Sequence, residues 1–259
     1  TAIGRNGRQF INYISASVGG QGISYSDNGT TWSTATISET GGTFADKNHM
    51  WIDNSITSPY EGNLYVAWTD FGGTYDYRVV LSRSTNNGVT WSTKIPISNP
   101  SSYFSHGVNL QTGPNGQVYA CWATYQTGSN TEKTIGFNKS VNGGVSFGTA
   151  TTAISNIKGI RETGVMKNMR VNSFPVMAVD ISGGPNNGTI YIVWTNIGTP
   201  GINSGTNKSV YIIKSTNGGT SWSTPVRVNQ GPFADGKEAY IPWITCDMET
   251  GALAVIFYD

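Results

Sequence analysis

The stretch Lys214-Ser215-Thr216-Asn217-Gly218-Gly219-Thr220-Ser221-Trp222 decides the reading of this chain, because it recurs. The other copies are Tyr25-Ser26-Asp27-Asn28-Gly29-Thr30-Thr31-Trp32, Ser84-Thr85-Asn86-Asn87-Gly88-Val89-Thr90-Trp91 and Ser140-Val141-Asn142-Gly143-Gly144-Val145-Ser146-Phe147. Each places Asp or Asn, then Gly two residues later, then Ser or Thr, then a large aromatic. The Asp/Asn side chain accepts hydrogen bonds from backbone N–H groups, Gly supplies positive φ, and the aromatic returns to the core, which is the chemistry of a hairpin turn.

Between the turns lies a second repeat: an apolar run, an Asp, a turn, then Gly followed by alternating apolar and aromatic residues. The clearest copy runs from Met50-Trp51-Ile52-Asp53 through Gly62 to Asp70. Others are Gly116 to Trp122, Pro175 to Asp180 leading to Gly188 to Asn196, and Trp243 to Asp247 leading to Gly251 and Asp259. Short, β-branched, aromatic runs bounded by Gly, Pro and Asn read as strands, and no amphipathic helix is evident. One unit is four strands, A to D, with the repeated turn joining C to D. A four-stranded antiparallel unit repeated at roughly fifty to seventy residues is a propeller blade.

The turns resemble the Asp-box, or BNR-repeat, pattern Ser-x-Asp-x-Gly-x-Thr-Trp of the sialidase (neuraminidase) superfamily. The match is best at Asp27 to Trp32; Asn86, Asn142 and Asn217 replace the Asp, and Phe147 one Trp. The resemblance implies an all-β fold, a β-propeller of four-stranded antiparallel blades. Residues 1–259 are read as one such domain, in blade pieces 1–40, 47–98, 104–157, 171–229 and 239–259. Gly7 to Tyr13 aligns with Gly62 to Trp68, so the first piece is expected to open on strand B without strand A, and the last to stop after strand B. That implies part of a longer, six-bladed ring. The chain opens at Thr1 without a signal peptide and reads as a processed form of a protein that is secreted or displayed at the cell surface, with other domains of a longer chain as partners.

Charge excludes some partners. With 16 Lys+Arg against 15 Asp+Glu the formal net charge is +1, which gives no electrostatic case for nucleic acid. No apolar run approaches a membrane span. Only 12% of residues are charged, so a polar partner such as a glycan or oligosaccharide fits better. Cys121 and Cys246 read as buried, unpaired small hydrophobes. There is no cofactor motif, and loop Asp residues and carbonyls leave calcium open.

In such a blade the A-to-B and C-to-D turns lie at one end, where Asp53, Asp180 and Asp247 read as turn caps. The D-to-A and B-to-C connections lie at the other, the expected ligand end. It carries Asp46 and His49, His106, Arg161 with Lys167 and Arg170, and Asp235 with Glu238 and Tyr240. Asp70 to Arg78 adds Asp76 and Tyr77. Both histidines are read as falling at one repeat position. The sialidase resemblance implies an Asp acid/base, here Asp70 or Asp76, and a Tyr nucleophile assisted by Glu, here Tyr240 with Glu238. It also implies an arginine clamp for which Arg161 and Arg170 are best placed. The family's Phe-Arg-Ile-Pro motif is absent, His49-Met50-Trp51-Ile52 standing at its place. Three functions follow: a sialidase-like glycoside hydrolase; a non-catalytic carbohydrate- or protein-binding module using Tyr75, Tyr77, Tyr103 or Tyr125 as stacking platforms; and a hydrolase of neutral polysaccharides using two carboxylates, Asp46 with Glu238 or Asp70.

Overall fold

A computed structural model describes residues 1–15, 20–38, 44–100, 104–125, 128–165, 168–232 and 236–259. Tyr103, Lys167 and Asp235 lie outside the described residues. The elements are strands in antiparallel meanders. The first sheet has the order β1 (Ala2–Ile3), β2 (Gln9–Ser15), β3 (Gly20–Ser26), β4 (Ser33–Ser38); the second β5 (Phe44–Ile52), β6 (Leu64–Phe71), β7 (Arg78–Ser84), β8 (Ile95–Pro96). The third contains β9 (Ser105–Thr112), β10 (Val118–Tyr125), β11 (Glu132–Ser140) and β12 (Thr151–Ile154), and the fourth β13 (Val176–Val179), β14 (Ile190–Ile197), β15 (Lys208–Ser215) and β16 (Val226–Arg227). The fifth sheet is the pair β17 (Tyr240–Cys246) and β18 (Leu253–Tyr258).

One expectation changes. The first sheet has its strand A: Ala2 pairs with Phe10 and Ile3 with Gln9, a strand too short to show alternation in sequence. The described residues form four four-stranded sheets and one two-stranded sheet.

The chain parts into two compact units. One comprises Thr1–Ser101, Ser105–Ala120 and Asn138–Ala150; the other Ser102–Phe104, Cys121–Phe137 and Thr151–Asp259. The first has a core of Phe10, Ile23, Ile52, Leu64, Trp68 and Val80, with Trp91 packed against it. In the second, Val193, Val210 and Ile244 belong to one cluster, and Ile160, Val165, Val171 and Ile197 to another that Tyr240 flanks. Strands β6, β9 and β14 are buried along nearly their whole length, as expected of strands covered on both faces. Cys121 is buried and Cys246 half-buried.

The repeated turns share one set of bonds. Ser84 Oγ accepts from Gly88 N at 3.0 Å while Asn86 Oδ1 accepts from Thr90 N at 2.9 Å. Ser140 with Asn142, and Ser215 with Asn217, repeat both bonds. The serine is therefore as much a part of the device as the amide. In the first copy the acceptor is Asn28, bonded to Thr30 N and Thr31 N, one residue beyond the position the pattern assigns. Asp27 instead pairs with Arg8 at 2.6 Å.

The turn glycines also lie against aromatics of the preceding sheet. A Cβ on Gly219 would stand 2.1 Å from Phe137, and one on Gly144 2.8 Å from Tyr65, with φ of 81° and 75°. Only glycine satisfies both the conformation and the approach. At the A-to-B turns, Asp53 accepts from Ser55 N, Asp180 from Ser182 N and Asp247 from Thr250 N, so these three are caps.

Candidate functional site

In the first unit the polar groups gather where β6 ends and β5, β7 and β9 begin. Asp46 pairs with Thr69 across β5 and β6, and the ladder is irregular between Asp46 and His49, where Lys47 takes a φ of 52°. That irregularity aims Asp46 at His106, the second residue of β9. The Thr69 hydroxyl donates to Ser105 O at 2.9 Å, so its oxygen accepts from His106 Nδ1, also at 2.9 Å. With Nδ1 thus holding a proton, Nε2 is the nitrogen turned toward Asp46, 3.4 Å from its Oδ2. The other Asp46 oxygen accepts from Lys47 N at 2.8 Å. His106 is buried, whereas the Asp46 side chain keeps 27% of its surface open. A carboxylate oriented from behind and open in front is suited to proton transfer.

An aromatic rim adjoins this pair. Phe71 stands edge-on to the His106 ring at 5.5 Å and to Tyr77 at 5.7 Å, and Phe44 tilts against Phe71 at 6.2 Å. Tyr77 is 52% exposed and sits at φ 62°, strained for a side chain of its size. The strain presents a ring to solvent that an extended backbone would direct elsewhere.

The two histidines are not equivalents. Asp53 N and Gly113 N donate equivalent turn-opening bonds, to Asn63 O and Gln117 O. Counting back from them, His49 corresponds to Asn109, and His106 lies three residues before that position. These equivalents meet: His49 Nε2 lies 3.1 Å from the Asn109 amide, and its Nδ1 accepts from Leu110 N at 3.2 Å. Burial pushes the His49 imidazole down to about 4, so it is a neutral bridge between β5 and β9.

The other residues of the sequence reading are dispersed. Asp70 is fully buried; both its oxygens lie within 2.9 Å of Lys94 Nζ, and a Cβ on Gly73 would stand 2.5 Å from one of them. This is a structural ion pair tying the B-to-C loop down, the reverse of an accessible acid. Asp76 is exposed and accepts from Gly72 N at 2.6 Å. Tyr75 is half-buried under Arg78, whose guanidinium also donates to Ser98 O.

In the second unit Glu238 is paired with Lys208, and Tyr240 stacks on Tyr258 at 5.6 Å, so the nucleophile pair of the sequence reading is occupied elsewhere. Arg161 lies over the Tyr125 ring and donates to Asn172 Oδ1 at 3.3 Å, while Arg170 is exposed. Tyr125 is only 1% exposed and cannot serve as a platform. Its hydroxyl donates to Glu132 Oε1 at 2.9 Å, and Ser173 N reaches the same oxygen at 2.9 Å. Burial raises both the Glu132 carboxyl and the Tyr125 phenol. The sequence reading missed this network, whose only signal is a lone acid at the start of β11. Among the described residues no group of three or more His, Cys, Asp and Glu is placed to hold a metal, and no helix is long and apolar enough to cross a membrane.

These antiparallel sheets make an all-β chain consistent with a propeller fold, and the comparisons with solved structures agree. An α-L-arabinanase from Penicillium chrysogenum complexed with arabinobiose matches with a TM-score of 0.58 at 15% identity, covering 98% of this chain and 73% of that one. An α-L-arabinofuranosidase from Fusarium graminearum in complex with an iminosugar inhibitor matches with a TM-score of 0.61 at 13% identity, over 98% and 72%. The intramolecular trans-sialidase from Ruminococcus gnavus, in complex with oseltamivir carboxylate, matches with a TM-score of 0.53 at 14% identity, over 92% and 45%. No family model and no curated protein matches the sequence.

Proposed function

We propose that the chain is a single carbohydrate-active propeller domain, secreted or at the cell surface, that binds a glycan at the Asp46–His106 end of its first unit and hydrolyses it. The observation that carries the reading is the His106-oriented, partly open Asp46 carboxylate beside the exposed Tyr77 ring. Sugars stack on such rings, and a pair of carboxylates is what glycoside hydrolysis requires. Asp46 is the oriented group, and exposed Asp76, next to Tyr77, is the second carboxylate of this reading. The likeness to an arabinanase, an arabinofuranosidase and a trans-sialidase supports a glycan as substrate.

Among glycans the reading favours a neutral chain over a sialoside. Asp70, Glu238, Tyr240 and Arg161, which would carry sialidase chemistry by resemblance, are each engaged with other protein groups. A negative Asp46 at the mouth also repels an anionic sugar. The test is reducing-sugar release from a panel of neutral arabino-, galacto- and gluco-oligosaccharides, with a fluorogenic sialoside in parallel, by the wild type and Asp46→Asn. Release from a neutral chain that Asp46→Asn abolishes supports the reading; sialoside turnover insensitive to Asp46→Asn refutes it. The exposed Tyr77 platform favours one second reading, a binding module, for which saturable binding without release is the outcome.

A further inference from the structure

The first of the four repeated turns departs from the other three in length, sequence and bonding. Ser26 stands six residues before Trp32, whereas seven separate Ser84 from Trp91, Ser140 from Phe147 and Ser215 from Trp222. The shorter turn keeps the two bonds that close it: Gly29 N donates to Ser26 Oγ at 2.9 Å and Thr31 N to Asn28 Oδ1 at 2.8 Å. It lacks a third. Asn86 Nδ2 donates to Thr90 Oγ1 at 2.8 Å, Asn142 Nδ2 to Ser146 Oγ at 2.9 Å and Asn217 Nδ2 to Ser221 Oγ at 2.8 Å. The equivalent pair, Asn28 and Thr31, makes no such bond. Both residues are exposed, and among the described residues the Asn28 NH2 and the Thr31 hydroxyl are uncommitted.

The position between the serine and the asparagine differs too. Thr85, Val141 and Thr216 fill it in the other turns, and Asp27 fills it here. Arg8 donates to both Asp27 oxygens, at 2.6 and 2.7 Å, and lies over the Tyr25 ring at 5.1 Å. Held from one side, the Asp27 side chain keeps 68% of its surface open, and each oxygen retains a lone pair for a further donor.

A cavity of about 160 Å³ lies at this turn, lined by Tyr25, Ser26, Asp27, Asn28, Thr31 and Ser33. Ser33, the first residue of β4, is exposed and adds a second uncommitted hydroxyl. Charge narrows the class of ligand. Arg8 compensates Asp27, so no net charge is left to hold an ion, and an anion would meet the open side of the carboxylate. An amide NH2, a carboxylate and two hydroxyls place donors and acceptors within one small space, which suits adjacent sugar hydroxyls because each can donate and accept. Tyr25 adds an aromatic wall. Ligand pockets for drug-sized molecules run from about 300 Å³ upward, so this cavity takes one sugar residue and not a chain segment.

We infer that this cavity is a binding site for one neutral sugar residue, read by Asp27, Asn28, Thr31 and Ser33 beside Tyr25. It lies at the turn end of the first sheet, apart from the Asp46 site, and does not rest on the proposed hydrolysis.

The experiment is a two-dimensional amide NMR titration of the whole chain with arabinose, galactose, glucose, glucuronate and glycerol in turn. Saturable shifts are expected between Asp27 and Ser33 with at least one of the three neutral sugars, and none with glucuronate or glycerol. Thr31→Val and Ser33→Ala remove exposed hydroxyls that the fold does not use, and each should weaken binding about fivefold, the loss of one hydrogen bond. Thr90→Val, the equivalent change in the second turn, should leave the titration unchanged. So should Asp46→Asn, which separates failure of this site from failure of the hydrolytic one. Three results overturn the inference: no saturable shift with any neutral sugar, glycerol or glucuronate binding as tightly as the sugar, or undiminished affinity in both Thr31→Val and Ser33→Ala.

Discussion

The two ends of each sheet follow opposite rules. At the C-to-D turns of the second, third and fourth sheets, one serine and one asparagine make the same two bonds each time, down to distances of about 3 Å. At the other end, equivalent positions hold unlike residues. Trp68 and Trp194 are counterparts facing Val80 and Tyr211, and stepping back along β7 and β15 makes Tyr77 the counterpart of Lys208. One is an exposed aromatic beside a carboxylate, the other a lysine lining a basic cavity. Likewise Ser98 and Asn229 do one backbone job, bonding Val79 N and Val210 N, and Asn229 also lines a cavity. Bonds that recur are those the fold needs; side chains that diverge on a conserved backbone frame are where chemistry is placed.

The comparison breaks first at a turn. Gly219→Val puts a branched side chain at φ 81° into the Phe137 ring and is expected to cost about 3 kcal/mol or more, measured by urea denaturation. A smaller loss would mean the turn tolerates what its repetition forbids. Next is a pH effect on the strand bridge. His49 titrates near 4 when folded and near its ordinary 6.5 when unfolded. Below the unfolded value the unfolded chain takes up a proton the folded one refuses, so stability falls as pH drops from 6.5 to 4 and levels beneath that. The expected loss is about 1–3 kcal/mol, and His49→Gln should flatten that part of the profile. A slope unchanged in His49→Gln assigns it to other groups.

Smaller effects sharpen the contrast. Ser84→Ala removes the acceptor for Gly88 N and should cost about 1 kcal/mol in denaturant midpoint while leaving glycan affinity untouched. Tyr77→Ala is its mirror image: a fall in glycan affinity of about fivefold by calorimetry, with stability within about 0.5 kcal/mol, since an exposed ring at strained φ contributes little to the fold.

The legibility of the sequence divides along the same line. The turns, the strands between them and the Asp53, Asp180 and Asp247 caps were readable because each is a local pattern repeated several times. The two-residue β1 was not, being too short for periodicity, and Asn28 was passed over because its role depends on where the turn closes. The site was legible only as an end of the sheets. Asp70 looks like an acid in its own loop and is sealed by Lys94, far along the chain; Tyr125 looks like a platform and is buried. Asp46 and His106 were picked out separately, but their pairing needs the irregularity in β5 and the neighbouring start of β9, neither of which any local pattern announces.

The most direct test measures glycan hydrolysis and thermal midpoint together for Asp46→Asn and Ser84→Ala. The account predicts that Asp46→Asn loses a hundredfold or more in turnover, about 2.7 kcal/mol in barrier, with its midpoint nearly unmoved. Ser84→Ala should lose midpoint and keep turnover. Asp46→Asn turning over like the wild type, or Ser84→Ala losing activity at a temperature where it is folded, would contradict the division of labour between the two ends.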